Sequence, residues 1–190
     1  MAGAAAARCA PMTATVAAPL EVIAFPDGQR HEVVAADDEH LIIDFTVRPM
    51  AVPNAPHVHD AADEVFEVCA GHLLFTLNGV AHHLAAGDSI VIGRGAVHCW
   101  QVVGDRDLQA RVTFTPGCAF HAFLRDFAAL QRAGRTGQDG MPGFRDYALL
   151  QRRHWTDLRL TSTPRPVLRV LVGLGVALAA LTGRRLPAAP

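Results

Sequence analysis

The stretch Pro56-His57-Val58-His59-Asp60-Ala61-Ala62-Asp63-Glu64-Val65-Phe66-Glu67-Val68-Cys69-Ala70-Gly71 decides how the rest of the chain is read. His57 and His59 are two residues apart, and on a β-strand side chains so spaced point to the same face. Both imidazoles then project to one side of a β wall, where they can chelate a single ion. After a four-residue turn Glu64 opens the next strand and adds a carboxylate from an adjacent position. Further on, His98 closes the segment Gly87-Asp88-Ser89-Ile90-Val91-Ile92-Gly93-Arg94-Gly95-Ala96-Val97-His98 and offers a third imidazole from another strand. Three nitrogens and one oxygen suit one divalent transition metal, Fe, Mn, Ni, Co or Zn, and leave positions for water, substrate or dioxygen.

Working outward, short apolar runs broken by turn residues extend from Glu21 to Pro116, as an all-β sandwich or barrel requires. The runs predict strands over His31 to Val34, His40 to Val47, Val65 to Cys69, Leu73 to Leu77, Val80 to Leu84, Ser89 to Ile92, Val97 to Val103 and Gln109 to Thr115. Asn78-Gly79 between two of them is a two-residue hairpin signal, because both residues tolerate positive φ. Beyond Pro116 the period changes: Phe120, Phe123, Leu124, Phe127 and Leu130 recur at helical spacing along one face. A loop over Gly134 to Gly140 precedes a second helix from Gly143 to about Trp155, and Pro164 and Pro166 introduce a third over Val167 to Gly183.

The two histidine segments resemble the paired motifs of the cupin superfamily. Its first motif reads Gly, five residues, His-x-His, three or four residues, Glu, six residues, Gly; its second reads Gly, five residues, Pro-x-Gly, two residues, His, three residues, Asn. His57, His59, Glu64 and Gly71 match the first, and Gly87, Gly95 and His98 match the second. Ala51, Gly93 and Val102 stand where the family has Gly, Pro and Asn, and none of those three is a metal ligand there. The resemblance covers about Val47 to Pro116, with an extension back to about Glu21. It implies a mainly β fold, a single double-stranded β-helix (jelly-roll) barrel with a metal in its mouth and a C-terminal helical extension. It also implies membership in a family of dioxygenases, decarboxylases, isomerases and non-catalytic binding proteins, in which a homodimer is an expected state.

Composition narrows the function. All 17 basic residues of the 190 are Arg, so Schiff-base, pyridoxal-phosphate and Walker-type phosphate chemistries lack their amine. The only serines, Ser89 and Ser162, lie outside any Gly-x-Ser-x-Gly context. A net charge of −1 argues against a nucleic-acid partner. The charge is unevenly placed, with 14 acidic residues and 6 Arg up to Arg111 and 4 acidic residues and 11 Arg after it. Folding of the basic segment onto the acidic one is the first expectation, and attraction to anionic lipid the second.

Cys9, Cys69, Cys99 and Cys118 lack C-x-x-C spacing and read as thiols of a reducing compartment, with cytoplasm the default. Residues 1–19 read as an Ala-rich, disordered leader without a secretory signal, with Met12 as an alternative start. Residues 20–116 are then the barrel, 117–160 a helical extension packing on it, and 161–190 a basic and apolar C-terminal helix and tail. The apolar run Val170 to Gly183, as a helix of ~1.5 Å per residue, reaches about 21 Å, short of a ~30 Å hydrocarbon core. Burial against the barrel is expected, with peripheral membrane contact through 167–185 as the alternative.

Strand alternation sets the pocket. Phe66 and Val68 share the face of Glu64, Trp100 and Val102 that of His98, and Phe75 and Leu77 join them from the neighbouring strand. Such a wall favours an uncharged or aromatic small molecule. The expected function is metal-dependent oxygenation with Glu64 as ligand and base; a non-catalytic small-molecule or partner-binding protein, or a metal-dependent isomerase or decarboxylase, is the alternative. Arg111 and Gln101 are the nearest polar residues, and the seven other histidines are expected to be non-ligands.

Overall fold

The structure is a computed structural model in which residues 18–188 are described; the leader expected over 1–19, with Cys9 and Met12, lies almost wholly outside them. Its strands are β1 (Glu21–Ala24), β2 (Arg30–Ala36), β3 (Leu41–Val47), β4 (His57–Val58), β5 (Asp63–Ala70), β6 (His72–Leu77), β7 (Val80–Ala85), β8 (Ser89–Ile92), β9 (His98–Val103), β10 (Leu108–Thr115) and β11 (Arg159–Leu160). Two antiparallel sheets face each other, one ordered β1-β2-β3-β10-β5-β8 and the other β11-β4-β9-β6-β7. Alternation explains the core: Leu41, Ile43, Phe45 and Val47 of β3 and Leu108, Ala110, Val112 and Phe114 of β10 all turn inward and are buried.

Two glycine-containing turns fix the register. Asn78 and Gly79 both have positive φ (50° and 82°), as the expected two-residue hairpin between β6 and β7 requires. Gly71 joins β5 to β6 at φ 84°, where a Cβ would stand 2.7 Å from the carbonyl oxygen of Asp107. Only glycine fits there.

Three helices follow: α1 (Phe120–Arg132), α2 (Phe144–Arg153) and α3 (Arg165–Leu181). The apolar face of α1 closes the barrel, with Phe120, Phe123, Leu124 and Leu130 buried and Phe127 packed beside them. Arginines of the basic half reach back to acidic residues of the barrel half, as the charge asymmetry leads one to expect. Arg125 grips Glu21 through two bonds of 2.6 and 2.8 Å, and Arg159 grips Asp60 at 3.1 and 3.2 Å.

Helix α3 packs on α2 rather than on the barrel, through Leu168, Val172, Gly175 and Ala179. Its other face, including Val170 and Leu181, is exposed at 71% and 83%. No helix among the described residues is long and apolar enough to cross a membrane. A Cβ on Gly175 would come within 2.4 Å of Ala148 Cβ, whereas one on Gly173 would meet nothing within 4 Å. Gly175→Val is therefore expected to force α2 and α3 apart at a cost of about 1–3 kcal/mol. Gly173→Ala should leave the melting temperature unchanged or raise it, since alanine favours the helix by up to ~1 kcal/mol. Thermal denaturation of the two variants checks the contrast.

The cysteines depart from expectation at one position. Cys69 is disulfide-bonded, while Cys99 and Cys118 are free.

Candidate metal centre

The three histidines converge because their strands do. In the β4–β9 pairing His57 lies directly opposite His98, and His59 follows two residues on. Glu64 comes from the facing sheet, on β5, with its side chain turned into the barrel. All four residues are at most 4% exposed. One ring nitrogen from each of His57, His59 and His98 lies within 4.8 Å of the others, close enough to share one metal ion. A Glu64 carboxylate oxygen, Oε2, stands 3.6 Å from His59 Nε2 and 3.2 Å from His98 Nε2.

Backbone carbonyls set the ring orientations. His57 Nδ1 is 2.8 Å from the carbonyl oxygen of Ala55, His98 Nδ1 is 3.0 Å from that of Ala96, and His59 Nδ1 bonds that of Asp157. A carbonyl only accepts, so each Nδ1 carries the proton and each Nε2 keeps its lone pair for a cation. The carbonyl serving His59 comes from beyond α2, 98 residues away, so the helical extension takes part in the site. The same segment holds the loop after His59: the amides of Asp60 and Ala61 donate to the carbonyl of Thr156 at 3.0 and 3.2 Å. β11 pairs with β4.

Electrostatics fit a cation. Burial lowers His57 well below the ordinary imidazole range, and the neighbouring His98 and His59 rings lower it further. Burial likewise lowers His59, against the opposing pull of Glu64. Burial works to raise Glu64, but His98 and His59 outweigh it and hold the carboxyl below its usual value. Burial alone would lower His98; the Glu64 carboxylate beside it raises it instead. Glu64 Oε2 and His98 Nε2 are nonetheless buried without a well-aligned hydrogen-bond partner. Orphaned groups of this kind are costly unless something is held between them. Three imidazoles with free Nε2 and a buried carboxylate are a donor set that fits a divalent transition metal.

The site opens into a cavity of about 470 Å3 bordered by His57, His59 and Glu64. Of the apolar residues expected to form its wall, Trp100 borders it. Phe66, Val68, Phe75 and Val102 are fully buried in the barrel core, and Leu77 is partly buried against the same core. Most of the wall comes instead from other elements, including Phe25, Phe45, Phe120, Phe123 and Phe127. Inward-facing strand residues fill the barrel, and the cavity forms where α1 and α2 cap it.

Neither polar residue left open by the sequence borders the cavity. Arg111 is engaged with Asp44 at 2.7 and 2.8 Å, and Gln101 donates to the Met50 carbonyl at 2.9 Å. Tyr147 and Gln151 of α2 do border it, together with His31 of β2. Sequence reading missed all three as cavity residues. The helical spacing over 144–153 was the available signal for Tyr147 and Gln151, but it does not tell which face meets the barrel.

Two facing antiparallel sheets with three convergent histidines and a carboxylate between them define a β-barrel of the cupin type with a candidate metal site. Residues 43–115 match the family model described as Cupin domain. No curated protein sequence matches the chain. Among solved structures, KdgF from Halomonas sp. is 20% identical, with a TM-score of 0.46, covering 52% of this chain and 89% of that one. An RmlC-like cupin from Shewanella frigidimarina is 21% identical, with a TM-score of 0.45, covering 51% and 84%. Streptomyces PAC13 with uridine, 17% identical with a TM-score of 0.44, covers 54% and 78%; a further structure of Pac13 describes it as a nucleoside dehydratase.

Proposed function

We propose that the protein is a metal-dependent oxygenase acting on a small, uncharged, largely aromatic molecule. The observation that carries this reading is the conjunction of the three-histidine and carboxylate cluster with an aromatic-walled cavity that no arginine among the described residues borders. A phosphate or carboxylate ligand would need such a cation. His57, His59, His98 and Glu64 would hold the ion, which supplies Lewis acidity and open positions for an oxygen-bearing substrate or dioxygen.

The chain's own residues do the rest. The phenylalanines of α1 and Trp100 take the face of the substrate and exclude water. Burial pushes the Tyr147 hydroxyl up to about 12, so it stays protonated at neutral pH and can donate to a substrate oxygen. Gln151 is fully buried, its Nε2 donates to the Leu158 carbonyl at 2.9 Å, and its Oε1 lacks a donor. Glu64 takes up at Oε2 the proton that the substrate loses.

The test is dioxygen consumption by the reconstituted protein with phenolic and 1,3-diketone compounds. Uptake is expected with at least one compound and should fall at least ~100-fold in Glu64→Gln. Product formation without uptake would replace the oxygenase reading by an isomerase or decarboxylase.

The exposed apolar face of α3 favours a second reading: a non-catalytic binding protein lying on an anionic lipid surface. Residues 161–190 hold four arginines and no acidic residue. Flotation with anionic vesicles, lost on deletion of residues 167–190, and no turnover on any compound would select it.

A further inference from the structure

His31 is buried to 4% exposure on β2, yet neither of its ring nitrogens has a hydrogen-bond partner among the described residues. It faces the cavity, stacked on Phe45 with ring centres 4.1 Å apart and planes 13° apart, with Phe25 at 4.9 Å. Burial alone lowers it to about 3, so the ring is neutral, with one donor and one acceptor nitrogen. A polar side chain held in an apolar wall with nothing to bond is costly for stability and calls for a partner.

The rings around the cavity say where that partner sits relative to the metal. From His59 a series of contacts runs to Phe120 at 4.8 Å, Phe123 at 5.8 Å, Phe127 at 6.0 Å, Phe25 at 6.3 Å and on to His31. Phe120, Phe123 and Phe127 fall on one face of α1 at three- and four-residue spacing. A continuous row of aromatic rings thus links the metal centre to His31 along the cavity wall, and the cavity volume is in the range that holds an organic molecule of two or more rings.

We propose that His31 is a specificity-determining residue that binds the distal hydrogen-bonding group of an elongated, uncharged aromatic ligand whose other end is held at the metal centre. This rests on the reading of the metal centre as the substrate site, and it names the substrate class: a molecule with a metal-binding oxygen function at one end and a hydroxyl or carbonyl at the other. Phe45 and Phe25 hold the imidazole in place.

The experiment is calorimetric binding of a matched pair, 4-phenylcatechol and 4-(4-hydroxyphenyl)catechol, to the full chain loaded with Zn2+, which has no redox chemistry of its own. Wild type is expected to bind the hydroxylated probe about tenfold more tightly, the effect of one hydrogen bond in an apolar site. His31→Phe, which keeps the ring stack, should bind both probes alike and the plain probe as wild type does. His31→Gln, which restores a donor and an acceptor, should recover part of the preference. Equal binding of the two probes by wild type, or a preference that survives in His31→Phe, overturns the role of His31 while leaving the metal centre intact. Binding of neither probe, or binding that does not require Zn2+, overturns the parent reading and this one with it.

Discussion

His57→Ala is expected to leave the purified chain with less than about one tenth of the metal that wild type retains after the same reconstitution and desalting. Changing a residue that only supports a ligand typically costs ~10–100-fold in metal affinity, and loss of a ligand itself should cost more. His57 is the most informative choice because it lies directly opposite His98 in the sheet pairing, and both its neighbours and its burial keep it unprotonated. Its Nδ1 is already committed to the Ala55 carbonyl, so Nε2 is the atom at stake. The exposed His72 and His83 provide the comparison, and alanine at either should leave metal content unchanged. Elemental analysis of the three variants, with circular dichroism to show that the barrel persists, decides the matter. Equal metal in His57→Ala and wild type would remove His57 from the site.

The second large effect lies outside the barrel. His154 is 3% exposed and sits between two carboxylates, with Nε2 2.9 Å from Asp126 and Nδ1 3.3 Å from Asp157. Burial would lower its pKa, but hydrogen bonding to Asp157 and Asp126 outweighs burial and raises it. A group raised on folding contributes stability that is fully present below the unfolded imidazole value of ~6.5 and is lost as pH rises through the folded value. His154→Leu leaves the buried Asp157 carboxylate without its cation, while Asp126 keeps Arg153 at 2.9 Å, and should cost about 3 kcal/mol near pH 6. The gap between wild type and variant is expected to narrow as pH rises above the ordinary histidine range. Because the Asp157 carbonyl holds the His59 ring, metal affinity should fall as well, by about 10–100-fold. Melting curves of both proteins across the range check the sign. A variant that melts with wild type at pH 6 would show that the network contributes nothing.

Much of the barrel is legible in the sequence because its information is local. Period-two alternation over β3, β5, β9 and β10 marks both the strands and their buried faces, and the Asn-Gly turn fixes one hairpin. The first helix is equally readable from its apolar spacing, and the third from its leading prolines and apolar run. β1, β4 and β11 are not predicted as runs; β4 and β11 are two residues long and carry no pattern, and β11 is defined only by its pairing with β4 about 100 residues earlier.

The site divides in the same way. The spacing of His57, His59 and Glu64, with His98 on a later strand, brings together residues whose proximity follows from strand geometry. The cavity does not follow. Phe66, Val68, Phe75 and Val102 turn inward as alternation requires, but inward in a closed barrel means core. The wall depends on where α1 and α2 land, a long-range packing outcome. The amphipathic face of Phe120, Phe123 and Phe127 announces that something is covered without saying what. His31 carries no motif at all, and its unpaired nitrogens become visible only once Phe45 and Phe25 are seen around it. The Asp157 carbonyl that orients His59 is a backbone group and leaves no trace in residue identity.

X-ray absorption spectroscopy at the edge of the metal bound by the reconstituted chain tests the central claim most directly. The predicted spectrum shows one ion per chain with three imidazole nitrogens at ~2.0–2.2 Å and further oxygen ligands at similar range. An ion with sulfur ligands, or with fewer than two imidazoles, would contradict it.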